Sequence, residues 1–164
     1  MTKDEFLKDV GNWSNHRYLL WEALEKTTGR VVEFGSGEGS TKFLSKYCQD
    51  NKRDFLSFDS NLEWANNTGA QFISNWDRLD LQNIDVLLID HAPGERRWID
   101  IEKYKDIAKV IVIHDSEPSG HGYMLDKIWH LFPYRIDTET TGAWATLVSN
   151  HFKKETWEHI KTTK

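Results

Sequence analysis

Arg30-Val31-Val32-Glu33-Phe34-Gly35-Ser36-Gly37-Glu38-Gly39-Ser40-Thr41 runs an apolar strand into an acid and then into three alternate glycines. Glycine adopts backbone angles closed to other residues, and a turn without Cβ atoms lets a ligand lie against the main chain at the N-terminus of the following helix. The stretch therefore reads as a nucleotide-binding strand-to-helix turn. The dinucleotide fingerprint Gly-x-Gly-x-x-Gly needs glycine or alanine at position 40, where this chain has Ser40. Glu33, at the end of the strand, suits a ligand with an ammonium group and would repel a pyrophosphate.

Working outward from that turn, the rest of the chain alternates helical and extended patterns. Leu19, Leu20, Ala23 and Leu24 recur at helical spacing, with Ser14 or Asn15 as the expected N-cap and Gly29 as the stop. Phe43, Leu44, Tyr47 and Cys48 make a helical stripe from Ser40 to about Gln49. Phe55-Leu56-Ser57-Phe58 is a strand ending in Asp59, residues 61–67 a short helix, residues 71–74 a short strand, and Ile84 to Ile89 an apolar strand buried on both faces. Pro93 suits the first turn of a helix on which Trp98, Ile101, Tyr104 and Ala108 share a face. Val110 to Ile113 is another buried strand, and Met124, Leu125, Ile128, Trp129 and Phe132 predict a helix closed by Pro133. Residues 134–137 and 143–148 are two strands joined without a helix, so the last strand runs antiparallel. The tail from His151 to Lys164 reads as a charged surface helix. These elements predict an α/β fold, a doubly wound Rossmann-like sheet of seven strands, mostly parallel with an antiparallel last strand. One domain spans residues 1–164: an N-terminal helical segment (1–29), the core (30–149) and a C-terminal helix (150–164).

Length and composition narrow the setting. A chain of 164 residues buries roughly two-thirds of its unfolded surface as one domain. The formal net charge is −5 and no dense run of lysine and arginine occurs, which leads to an expectation of no nucleic acid partner. The single cysteine, Cys48, excludes an internal disulfide, and the start Met-Thr-Lys-Asp-Glu lacks a signal-peptide core, so a reducing, cytoplasmic setting is expected. No apolar run approaches the roughly 20 residues of a spanning helix, so no membrane partner is expected. Eight tryptophans are many for this length; most should pack the core, though aromatic rings also cradle adenine or a flat acceptor. Oligomeric state is left open.

The acid-x-Gly-x-Gly-x-Gly arrangement of Glu33, Gly35, Gly37 and Gly39 resembles the first motif of the class I S-adenosylmethionine-dependent methyltransferases. The order of elements and the terminal hairpin extend the resemblance over residues 30–149. It implies that Glu33, Gly35, Ser36, Gly37 and Gly39 contact S-adenosylmethionine. It places Asp59 and Ser60 at the ribose, with an N-terminal helix cap as the competing role for Asp59, and it places Asn75 and Trp76 at the adenine.

In an open α/β sheet ligands sit beyond the carboxyl ends of the strands, where this chain has Asp90, His91, His114 and Asp115. These four are the catalytic candidates, with His91 as general base because imidazole titrates near neutrality. His114-Asp115 resembles a pair found in some metal-dependent O-methyltransferases, which implies Mg²⁺ between Asp90 and Asp115. Arg96 and Arg97 are candidates for a carboxylate or phosphate on the substrate. Trp13, His16 and the loop Ser119-Gly120-His121-Gly122-Tyr123 are candidates to cover it, with His121 at the substrate. The expected function is O-methylation of a small-molecule acceptor; a nicotinamide-dependent oxidoreductase and a cofactor- or nucleoside-binding module without turnover are the alternatives.

Overall fold

The computed structural model describes residues 1–118, 121–140 and 142–162. Helices α1 (Lys3–Phe6) and α2 (Arg17–Glu25) precede strand β1 (Arg30–Phe34), and α3 (Thr41–Asp50) leads to β2 (Phe55–Asp59). Then follow α4 (Leu62–Thr68), β3 (Gln71–Phe72), β4 (Ile84–Ile89), α5 (Arg97–Tyr104) and β5 (Ala108–His114). The hairpin β6 (Arg135–Thr140) and β7 (Ala143–Val148) completes one seven-stranded sheet of order β3-β2-β1-β4-β5-β7-β6. β7 is antiparallel to both neighbours and the other pairings are parallel, as the hairpin without a helix requires.

Alternation along the strands splits the core in two. Val31, Val86, Leu88, Val110 and Val112 face α1, α2, α3 and the C-terminal segment, while Val32, Leu87, Ile89, Ile111 and Ile113 face α5 and the turns around Trp76 and Ile128. Central strands buried on both faces account for the unbroken apolar runs in β4 and β5. The strand order reverses between β1 and β4, so the crevice for a ligand opens at the carboxyl ends of those two strands. There Phe34 pairs with Ile89, and a Cβ on Gly35 would lie 2.5 Å from the Asp90 backbone. Gly35 also has φ of +88°, so both the close approach and the conformation call for glycine.

Four sequence expectations change. The residue before α2 is His16, without a side-chain cap bond, because Ser14 Oγ bonds to Gly11 and Asn15 Nδ2 donates to the Ala143 carbonyl. Ala108 opens β5 instead of extending α5. The helix expected over residues 124–132 is two 3₁₀ turns, Leu125–Lys127 and Trp129–Leu131, preceded by Met124 in the left-handed region at φ 55°. The tail is not a surface helix: after a 3₁₀ turn at Lys154–Trp157 it buries Trp157 and Ile160 in the core beneath α2. Trp157 packs edge-on against Phe152 and donates from Nε1 to the Tyr134 hydroxyl at 2.9 Å. Among the described residues, no helix is long and apolar enough to cross a membrane.

Trp157→Ala should destabilise the fold by about 3–5 kcal/mol, the cost of emptying a fully buried aromatic position. Urea denaturation followed by far-UV circular dichroism measures it; a loss below about 1 kcal/mol would show that the tail does not belong to the core.

Candidate functional site

β1 delivers Glu33 to the sheet interior, where its carboxylate is wholly buried. Three hydroxyls donate to it: Ser40 to Oε1, and Thr41 (2.8 Å) and Ser57 (2.6 Å) to Oε2. Burial pushes the Glu33 carboxyl up to about 7, against the three hydroxyls, which favour its ionised form. Its oxygens bind β2 and the start of α3, and Glu33 does not line the cavity at the crevice. Ser36, Gly37 and Gly39 do line it. A Cβ on Gly37 would meet no protein atom closer than 3.9 Å, whereas one on Gly39 would lie 2.6 Å from the Trp13 carbonyl. Packing within the protein thus explains Gly39 and does not explain Gly37.

Asp59 stabilises the same turn. Its Oδ2 accepts from Ser36 N (2.8 Å) and Ser36 Oγ (3.0 Å), and its Oδ1 accepts from Asn61 N at 2.8 Å. The cap of α4 is Asn61, whose side chain accepts from Trp64 N. Ser60 donates to the Ala92 carbonyl. Trp76 is buried against His91 (4.5 Å between ring centroids) and Phe34 (5.3 Å), and Asn75 accepts from Asp77 N. Asp59, Ser60, Asn75 and Trp76 all lie outside the cavity wall, where Trp64 of α4 stands instead, its indole bonded to the Ser36 carbonyl. Trp64 carried no sequence signal beyond its place in the short helix expected over residues 61–67.

The resulting cavity, about 290 Å³, is walled by Trp13, His16, residues 36–40, Trp64, Asp90, His114 and Asp115. A second cavity of about 390 Å³ adjoins it at Asp115 and is walled by residues 115–118, 122–126, Trp129 and Arg135. At their junction His114 lies between two carboxylates, Nδ1 3.1 Å from Asp90 Oδ1 and Nε2 3.3 Å from Asp115 Oδ1. Burial opposes ionisation of Asp90, yet His114 and Arg97 outweigh it and hold the carboxyl below its usual range. Burial raises the Asp115 carboxyl, aided by the charge on Asp90. Asp115 takes a left-handed conformation at φ 54°. His16 packs its ring on His114, 4.5 Å between centroids, and burial, then His114, pushes it down to about 3.

The structure separates the remaining candidates from this junction. His91 is sealed among Phe34 and Trp76, with Nε2 2.8 Å from Asp100 Oδ2, so it lies away from both cavities and is not placed to act as a base there. Arg96 is bound to Asp77 and Asp100. Arg97 donates to the carbonyls of His91 (2.9 Å) and His114 (3.0 Å) and to Asp90 Oδ1 (3.0 Å), tying the exits of β4 and β5 together. His121 bonds Glu117 at 2.7 Å and stacks on Tyr123, beside the second cavity, while Ser119 and Gly120 of the expected cover lie outside the described residues.

Asp90, His114 and Asp115 bring ligand atoms within 4.8 Å of one another. The set matches Mg²⁺ poorly. That ion prefers oxygen ligands, an imidazole stands between the two carboxylates, and the Arg97 guanidinium already supplies positive charge to Asp90.

No protein-family model matches the chain, and no curated protein sequence matches it. Solved structures do. Cofactor-bound Rv0187 from MTB superposes with a TM-score of 0.60 at 13% identity, covering 89% of this chain and 83% of that one. A protein described as an rRNA-methylase from Clostridium thermocellum gives 0.60 at 14%, covering 87% and 97%. The hMettl16 catalytic domain in complex with the MAT2A 3′UTR hairpin 1 gives 0.56 at 10%, covering 84% and 69%. The fold is that of the class I S-adenosylmethionine-dependent methyltransferases. The hMettl16 complex also corrects the expectation of no nucleic acid partner: a domain of this fold engages an RNA hairpin, so net charge and the lack of a basic run do not exclude one.

Glu33 gives the site a pH signature. With a folded pKa near 7 and an ordinary value of 4.5, the native state holds a proton that the unfolded chain has released, so stability falls as pH rises from about 4.5 through 7. Glu33→Gln should remove up to about 3 kcal/mol of that pH dependence. Urea midpoints of wild type and variant across this range measure it, and parallel curves would mean that Glu33 is ionised throughout.

Proposed function

We propose that the chain is an S-adenosylmethionine-dependent methyltransferase acting on a hydroxyl of a small-molecule acceptor. The observation that carries this reading is the meeting of two cavities at Asp115, one over the glycine turn and one beside it. The cavity over the turn suits the cofactor: Gly37 stays side-chain-free without an internal packing reason, and Trp64 offers an indole to a flat base. When bound, S-adenosylmethionine supplies an electrophilic methyl group on a positively charged sulfur. The second cavity suits a ring bearing hydroxyl or amine donors, since Asp115, Glu117 and Asp126 stand beside Met124 and Trp129, with the Arg135 guanidinium over the Trp129 ring.

Asp115 borders both cavities, and its raised pKa makes it a stronger proton acceptor than an ordinary carboxylate. It takes the acceptor's hydroxyl proton as the oxygen–methyl bond forms and the methyl–sulfur bond breaks, the bonding pair staying on sulfur. His114 and Arg97 hold Asp115 and Asp90 in place, and alignment of the reacting atoms does the rest. No step is routed through a metal ion. A second reading, transfer to a nucleobase, draws on the exposed rings of Trp13 (86% exposed) and Trp64 (40%) at the rim of the first cavity, which suit stacking on an unpaired base.

Incubation with methyl-labelled S-adenosylmethionine and cell extract should put label into the low-molecular-weight fraction; label in RNA would move the conclusion to the second reading. With the acceptor in hand, Asp115→Asn should lower kcat by about a hundredfold or more, whereas His91→Gln should keep it within a few fold. Chelation by EDTA and addition of Mg²⁺ should leave the rate unchanged, and a rate restored by Mg²⁺ would overturn the metal-free mechanism.

A further inference from the structure

His16 is the outstanding unexplained group of the site. It is 1% exposed, lines the cavity over the glycine turn, and neither Nδ1 nor Nε2 has a hydrogen-bond partner. A buried imidazole with both nitrogens unpaired is destabilising on its own, and such groups are completed by a ligand or an ordered water. The ring packs on His114 and sits at the cavity wall with both nitrogens covered, so a turn of the ring about χ2 is the motion that presents a nitrogen to a ligand there.

The other polar groups of the wall say which ligand atom completes it. S-adenosylmethionine ends in an amino-acid group with a carboxylate and an ammonium. The glycine turn at the N-terminus of α3 suits the carboxylate: Ser40 Oγ is drawn away to Glu33, α3 has no side-chain cap bond, and the helix end favours negative charge. The ammonium needs acceptors. Glu33, the sequence's choice, is sealed off by three hydroxyls. Asp90 stands in the same wall as His16; its contacts with Arg97 and His114 both fall on Oδ1, and Oδ2 takes no part in them.

We propose that His16, together with Asp90, forms the receptor for the ammonium group at the amino-acid end of the methyl donor. This rests on the cofactor reading above and adds a residue from the segment before α2, outside the glycine motif. His16 accepts one ammonium N–H at a ring nitrogen, Asp90 supplies the opposite charge, and the glycine turn holds the carboxylate. The segment is tied to the turn directly, through the Trp13 carbonyl against Gly39.

The test is calorimetric titration of wild type, His16→Phe and His16→Gln with three probes: S-adenosylhomocysteine, its deaminated analogue, which keeps the carboxylate, and 5′-methylthioadenosine, which lacks the amino-acid end. His16→Phe keeps a ring against His114 and removes both nitrogens. It should weaken S-adenosylhomocysteine at least tenfold and leave the other two unchanged, and His16→Gln should restore part of the loss. Unchanged 5′-methylthioadenosine binding also certifies that the variant is folded. Equal S-adenosylhomocysteine affinity in wild type and His16→Phe overturns the assignment alone, as does an equal loss for all three probes. A wild type that binds none of the probes overturns the cofactor reading and this assignment with it.

Discussion

Everything at the crevice depends on one buried carboxylate. Glu33 leaves β1 in the middle of the sheet and collects hydroxyls from β2 (Ser57) and from the start of α3 (Ser40 and Thr41). A carboxyl in that position would be costly without them, and with them it fixes where α3 begins relative to two strands. The same bonds have an effect on the other side of the turn. Ser40 spends its hydroxyl on Glu33, so α3 starts without a side-chain cap, and the acid that looks like a ligand contact acts by setting the shape of the turn.

A second constraint acts where β4 and β5 end. Arg97 binds two backbone carbonyls and Asp90 at once, so a single guanidinium joins both strand exits and neutralises part of the acidic cluster between them. Replacing its planar fork by lysine would lose at least two of those bonds. The cluster therefore carries its own counter-charge. That explains how Asp90 is held below its usual range beside Asp115, while Asp115, whose contact is with His114, is the carboxyl that burial raises.

The sheet was legible in the sequence because its signals are local: unbroken apolar runs in β4 and β5, and glycines where β1 meets α3. The acidic motif was legible as a pattern but not as an orientation, because which way Glu33 points depends on Ser57, 24 residues away. His91 and Trp76 looked like site residues for their chemistry, yet they pair with Asp100 and with each other in the core, a tertiary choice that spacing does not encode. Arg96 and Arg97 follow the same logic, since both find acidic or carbonyl partners inside the protein. The segment 124–132 has helical spacing, but a left-handed Met124 and the approach of Pro133 leave room only for 3₁₀ turns. Trp157 and Ile160, three residues apart in a charged tail, were the available sign that the tail is packed.

Tyr123 has a wider consequence. Its ring lies over the Arg97 guanidinium, 4.2 Å from centroid to Cζ, and a Cβ on Gly94 would fall 2.0 Å from it. The loop after β5 is thus seated on the loop after β4, and position 94 must stay without a side chain for the ring to fit. Tyr123, in the wall of the larger cavity, is thereby fastened to the very residue that joins the two strand exits. Any movement of Tyr123 that reshapes the larger cavity must therefore also break the ring's contact with Arg97, and so reaches the exits of both strands.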